Sequence, residues 1–484
     1  MHDFKTLIIL GNGADLHSGL KTTFKDFMEY NKKDSKINEA IESFFSLKMD
    51  LKNYIEKEKM VFTDTSLHTK IFSFPIYRLF HNNFLFDEFM ETCDLSSESL
   101  QIKVNNSNEI ENCSENIINE FTEMFRHKFN LLDERMKYIK QMNLWEVILI
   151  LINGSKNSWY DVEKCMEKFF SMQNIISNSD KTAQEYIDES ISKIQKNKIS
   201  SIDEVSSLGY KYEFLIFYIL YKNGTSKNNK FNAQDLLLNE LYSFENKFSE
   251  YIYNETHIED KNDSRYFYYP RINSLIQSLM NKSKNDIANI LNFNYTSARR
   301  KSSIIDKENN IHGHIQNKDN HDYNPNRKSS DIILGIDTNI NTCNYTAEAK
   351  KNIYKFTKTS RLLNKSIHNH TNILDDNIDE IIFYGHSLGE SDYSYFQSIF
   401  DNYKLYDSEL SLIFAFSTRK RKSESQCIES QSERISSLIN RYGETLDNKD
   451  HAKNLLHKLL IENRLHLVKI ANKNYTKTKK ATRN

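Results

Sequence analysis

The chain has 484 residues, only 11 of them Gly and 3 Pro, with 38% hydrophobic and 12% aromatic residues; Gly at about 2%, against roughly 7% in average proteins, excludes collagen-like, linker-like and turn-dense β-sandwich compositions. Lys plus Arg number 65 against 66 for Asp plus Glu, so no overall field draws the protein onto nucleic acid or an acidic membrane. Five cysteines without CxxC spacing, and no apolar run near the ~20 residues that cross a bilayer, lead to the expectation of a cytoplasmic protein with reduced thiols.

Lys5 to Leu10 is a nearly continuous apolar run closed by Gly11, which predicts a strand buried on both faces of a parallel sheet. A helix is expected to start near Thr22 or Thr23, with Phe24, Phe27 and Met28 forming one stripe. From about residue 31 to 280 the pattern is helical. The clearest case starts at Asn232, a capping residue, and carries Leu237, Leu241, Phe244, Phe248, Tyr251 and Ile252 on one side. Ser158 to Asp161 resembles a capping box before a second run through Val162, Met166, Phe169 and Phe170.

After residue 286 short apolar runs alternate with polar segments. Strands are predicted at Ile287 to Phe293, Ile332 to Ile336, Glu380 to Tyr384, Leu410 to Phe416 and Leu465 to Ile470, with a helix over Ser391 to Tyr403. This βα alternation predicts an α/β, Rossmann-like fold with a mainly parallel sheet. Residues 1–30 and 281–484 would form it, with 31–280 as a large helical insertion.

Parallel sheets bind ligands at the carboxyl ends of their strands, which selects the segments carrying chemistry. Gly11-Asn12-Gly13-Ala14-Asp15-Leu16-His17-Ser18-Gly19 follows the first strand, and its glycines would let backbone turn or approach a phosphate or ribose; a tight structural turn is the alternative. Asn292 and Asn294 alternate onto one face of the second strand end, where amides can orient a water or a ribose hydroxyl, or cap the next turn. His312-Gly313-His314 offers an imidazole beside a glycine. It could also bind a metal with His321 or His386, but no Cys or carboxylate has recognisable ligand spacing, and no metal is expected. Gly385-His386-Ser387-Leu388-Gly389 fits the letters of a nucleophile elbow, which keeps a serine hydrolase acting through Ser387 open. A fifth segment, Ile333-Leu334-Gly335-Ile336-Asp337, reads as another strand end that shapes the cleft, and seven of the 11 glycines, at 11, 13, 19, 313, 335, 385 and 389, fall in these strand-end segments.

Taken together, the motifs resemble the bacterial abortive-infection AbiH family of phage-defence proteins. The carriers are I-L-G-N-G-A-D-L-H-S-G-L-K-T-T-F-K-D-F at 9–27, W-Y-D-V-E at 159–163, F-E-N-K-F at 244–248, L-N-F-N-Y-T at 291–296, I-H-G-H at 311–314 and Y-G-H-S-L-G-E-S-D at 384–392. Ala14 stands where that family commonly has Phe. More distantly, the first loop, F-N-Y-T and I-H-G are similar to the NAD loop, the Asn-bearing strand end and the catalytic His-Gly of sirtuins. That resemblance makes Asn294 and His312 the catalytic candidates, with Asp15, which replaces a sirtuin Ser, beside them. It also implies that Gly11, Gly13, Ser18 and Gly19 cradle NAD; Asn12 in the same loop, and Gly385, His386, Ser387 and Asp392 in the segment after the predicted strand ending at Tyr384, are further expected cofactor contacts. The sirtuin zinc cysteines are absent, which argues against protein deacylation.

The expected function is anti-phage abortive infection through a nucleotide-binding cleft, with hydrolysis of NAD at the nicotinamide glycosidic bond as the leading activity. A non-catalytic sensor of nucleotide or phage protein stays open, as does a nuclease or serine- or metal-dependent hydrolase. Expected partners are a nucleotide, a phage protein as trigger and a second copy of the chain. The basic residues Arg419 to Lys422 and the lysine-rich tail read as solvated surface, so nucleic acid is not an expected partner.

Overall fold

In a computed structural model of the chain, the described residues are 4–31, 34–58, 115–153, 162–172, 180–182, 185, 214–223, 230–298, 303–315, 332–336, 347–365, 372–389, 392–418 and 423–471. Six strands make one parallel sheet: β1 (Lys5–Leu10), β2 (Ala288–Asn292), β3 (Ile305–Asn310), β4 (Ile378–Tyr384), β5 (Ser411–Phe416) and β6 (Leu465–Lys469). Their spatial order is β3-β2-β1-β4-β5-β6, the order of doubly wound Rossmann-like sheets. β1 pairs in parallel with β2 on one side (Leu10 opposite Asn292) and with β4 on the other (Leu10 opposite Tyr384). The order reverses between β1 and β4, so the loops leaving these two strands meet at the switch point.

Alternation along the central strands splits the core in two. Leu7 and Ile9 of β1 and Ile381 and Phe383 of β4 pack with Phe396, Phe400, Ile439, Tyr442 and Leu455 from helices Tyr393–Asn402, Glu424–Thr445 and Lys449–Ile461. Ile8, Leu10, Ile382 and Tyr384 face the opposite way, against Tyr268, Ile272, Leu275, Ile276 and Leu279 of helix Tyr268–Met280. Each fully buried side chain of this size contributes about 1.5–3 kcal/mol relative to exposure, which is why these strands read as unbroken apolar runs.

At the amino edge, Lys5 Nζ bridges Asp306 at 2.7 Å and Asp375 at 2.9 Å, and Lys307 adds a second ammonium to Asp375 at 2.6 Å. This edge is closed by ion pairs.

One strand expectation is corrected, and one strand was not expected. Residues 332–335 form no strand; Leu334 is instead held by polar side chains, its N–H donating to Glu245 Oε1 at 2.7 Å and its carbonyl accepting from Arg361. One edge of the sheet is β3, which was not expected from the sequence; its sequence IDKENN has Ile305 as its one buried residue. The helix expected from Asn232 spans Ala233–Thr256, with Asn232 Oδ1 accepting from Asp235 N at 3.1 Å. The capping-box residues 158–161 lie outside the described residues.

The chain divides into two units, residues 1–23, 245–337 and 358–484 in one and 24–244 and 338–357 in the other. The first holds the sheet. The second is helical among its described residues, with Trp145, Phe169, Phe170 and Phe356 in mutual ring contact and Trp145 Nε1 donating to Leu237 O at 2.9 Å.

Candidate functional site

The loop leaving β1 is sewn directly to the loop leaving β4. Gly11 N donates to Tyr384 O at 3.0 Å and Gly13 N to Gly385 O at 2.8 Å. A Cβ on Gly11 would stand 2.5 Å from His386 Cα, and one on Gly13 would stand 2.5 Å from Gly385 Cα. Close backbone packing therefore accounts for both glycines. The next element, Gly13–His17, is a single short helical turn. Beyond it Gly19 has φ +98°, with the Arg271 guanidinium where a side chain would sit. Ser18 is fully buried, and its Oγ has no hydrogen-bond partner among the described residues. Asn12 Oδ1 accepts from Thr22 Oγ1 at 2.5 Å, so Thr22 ties this loop together and the following helix starts at Phe24.

Asp15 is 1% exposed. Its carboxylate accepts from Tyr268 Oη at 2.8 Å and from Thr296 Oγ1 at 2.9 Å, joining the β1 loop to helix Tyr268–Met280 and to the loop after β2. Burial disfavours the charged form more than these hydroxyls favour it, and the carboxyl is pushed up to about 6.

Asn294 donates Nδ2 to Gly11 O at 3.1 Å, and Asn292 Oδ1 accepts from Asn294 N at 3.0 Å. Two residues that sequence reasoning missed, both on β3, hold this loop from the side. Glu308 accepts from Asn292, Ser297 and Ala298, and Asn310 donates to the carbonyls of Asn294 and Thr296. The only sequence signal was a polar run with no apolar period.

On the other face of the sheet a second polar group forms around Asp392. His386 Nε2 lies 3.3 Å from Asp392 Oδ2, His312 Nε2 lies 3.8 Å from Oδ1, and Lys358 Nζ donates to Oδ1 at 3.0 Å. Phe293 closes the two imidazoles in, with ring centroids 5.5 Å from His312 and 4.6 Å from His386. Burial, and secondarily the Lys358 ammonium, drives His312 down to about 3, so its ring is neutral at physiological pH. Burial works against the Asp392 anion, but Lys358 and the His386 hydrogen bond hold its carboxyl well below the ordinary range. Lys358, the first residue of helix Lys358–Lys365, was not singled out in the sequence.

Ser387 departs from the elbow expectation. Its Oγ accepts from Gly389 N at 3.3 Å, the left-handed residues are Gly385 with φ +72° and Leu388 with φ +55° and not the serine, and the next helix begins only at Tyr393. A nucleophile elbow needs the strained serine at a sharp strand-to-helix turn. His314 is exposed while His312 is buried, and His321 lies outside the described residues. Among the described residues no three His, Cys, Asp or Glu side chains converge as metal ligands, and no helix is long and apolar enough to cross a membrane.

The model of one protein family, described as bacteriophage abortive infection AbiH, matches residues 7–414, from β1 into β5 and through every segment of the site. No curated protein and no solved structure matches the chain. The likeness to sirtuins rests on the motifs alone.

Proposed function

Because this chain belongs to the bacteriophage abortive infection AbiH family, with a role in abortive infection, we propose that its carboxyl-edge site binds NAD and hydrolyses the nicotinamide glycosidic bond. The observation that carries this reading is the convergence of the loops after β1, β2, β3 and β4 at the switch point of a 3-2-1-4-5-6 sheet, the place where such sheets take nucleotides.

In the reaction the ribosyl C1′–N bond breaks and its electron pair leaves with nicotinamide. Water then captures the oxocarbenium-like carbon, giving ADP-ribose, nicotinamide and a proton. Asn294, with Nδ2 committed to Gly11 O, offers Oδ1 to orient that water. A ring as weakly basic as His312 acts by accepting a hydrogen bond from a ribose hydroxyl rather than by storing a proton. Asp15, with its oxygens engaged by two hydroxyls, anchors the loop that carries Ser18 and Gly19.

The test is incubation of purified protein with NAD, with and without phage material, and chromatography of the products. Wild-type protein should release nicotinamide and ADP-ribose, and His312→Ala and Asn294→Ala should lose about 100-fold of that rate, the order expected when a group that positions reactants is removed. Intact NAD in every activated sample sinks the hydrolytic reading.

A second reading, a sensor that binds nucleotide without turnover, draws on the extent to which neighbouring groups already satisfy Asn294, Asp15 and Asp392. NAD-dependent melting with no product would favour it, since binding to the native state alone raises stability by mass action.

A further inference from the structure

Asp392 is reached by three side chains from three separate segments. Lys358 opens helix Lys358–Lys365 and fixes its own backbone by donating N–H to Ile336 O at 2.9 Å. Its ammonium is almost wholly buried and points at Asp392 Oδ1. His386 has its other ring nitrogen occupied, because Leu388 N donates to Nδ1 at 2.9 Å. The proton of the neutral His386 ring therefore sits on Nε2, facing Asp392 Oδ2. His312 Nε2 is buried without a hydrogen-bond partner among the described residues, and the nearest acidic oxygen is Asp392 Oδ1 at 3.8 Å. A buried lone pair facing a carboxylate is repelled, whereas an N–H is attracted, so the anion selects the Nε2–H form here too.

The competing arrangement has a neutral carboxyl. A carboxylate placed between two uncharged imidazoles in an apolar pocket would take up a proton and donate it to one of the rings, reversing that ring's polarity. The Lys358 charge prevents this. We infer that Lys358 is a positioning residue of the site: it holds Asp392 as the anion that fixes His312 and His386 as Nε2–H tautomers, so that Nδ1 of His312 is the lone-pair nitrogen offered to a substrate hydroxyl. The substrate half of this inference rests on the NAD reading; the tautomer half stands without it.

The experiment is long-range proton–nitrogen NMR on the full chain labelled with ¹⁵N-histidine, with the two rings assigned through His312→Gln and His386→Gln. In the wild type both rings should be Nε2–H. Lys358→Met should convert His312 to Nδ1–H or a mixture, and Lys358→Arg should restore the wild-type pattern. Where Lys358→Met does not fold, the charge-neutral pair Lys358→Met with Asp392→Asn should show the same conversion. His312 as Nδ1–H in the wild type, or an unchanged pattern in the substituted proteins, overturns the inference.

In the NAD assay, Lys358→Met should lower kcat about 10–100-fold, the usual cost of losing a supporting partner behind a ligand-facing group, with KM within about threefold. An unchanged kcat overturns the positioning role. Absence of turnover in the wild type, alongside the expected tautomers, overturns the NAD reading and leaves the arrangement around Lys358 standing.

Discussion

Asp15 sits in an apolar setting with two hydroxyls on its carboxylate, and burial still raises its pKa to about 6. The native state thus binds this proton more tightly than the unfolded chain. Asp15 stabilises the fold fully below about pH 4 and loses that contribution as pH rises through about 6, a change of about 3 kcal/mol. In urea titrations between pH 4 and pH 7, wild-type protein should lose about that much relative to Asp15→Asn; parallel curves would contradict the assignment. His312 works in the opposite sense. Its ring is driven by burial to about 3, so the unfolded chain binds the proton more tightly, and stability is complete above about pH 6.5 and declines as pH falls. At pH 5 the penalty should be about 2 kcal/mol. His312→Gln should flatten this acid limb, checked by unfolding midpoints at pH 7 and pH 5, and an acid limb as steep as that of the wild type would count against a buried neutral ring.

At the scale of elements, the junction between the β1 and β4 loops depends on backbone touching backbone. Gly13→Ala places a methyl group 2.5 Å from Gly385 Cα, and no flexible side chain is there to give way. Chemical denaturation should show a loss of about 3 kcal/mol or more; a loss under about 1 kcal/mol would mean that the loops separate easily. The glycines of this junction stood out in the sequence because the chain uses so few, but their partner could not be read there: Gly11 and Gly13 meet residues 385 and 386, more than 370 positions away. The strand expected at 332–336 failed for a definable reason. Its apolar residues are buried, as read, but Leu334 spends its N–H and carbonyl on the buried Glu245–Arg361 pair and not on a neighbouring strand. β3 was missed because its half-exposed IDKENN carries no apolar alternation. Those polar residues are the ones that hold the loop of Asn292 and Asn294.

For the whole molecule, the parallel sheet was legible because its central strands are buried on both faces and show as apolar runs closed by Gly or Asn. The segments of the site were legible for the same reason: strand ends in a βα chain fall on one edge. Their grouping was not. Asp15, Thr296 and Tyr268 gather on one face of the sheet, and His312, His386 and Asp392 on the other, a division that follows from strand order and not from spacing along the chain. Lys358 was hidden because a lysine in K-F-T-K-T-S-R reads as solvated surface until its burial against Asp392 is seen.

The most direct measurement of the central claim is a crystal structure of the protein soaked with NAD. The nicotinamide ribose should lie at the carboxyl ends of β1 and β4, with a hydroxyl within about 3.2 Å of the His312 ring and the Asn294 amide close to C1′. NAD bound elsewhere, or a carboxyl edge that stays empty at saturating NAD, would contradict the account.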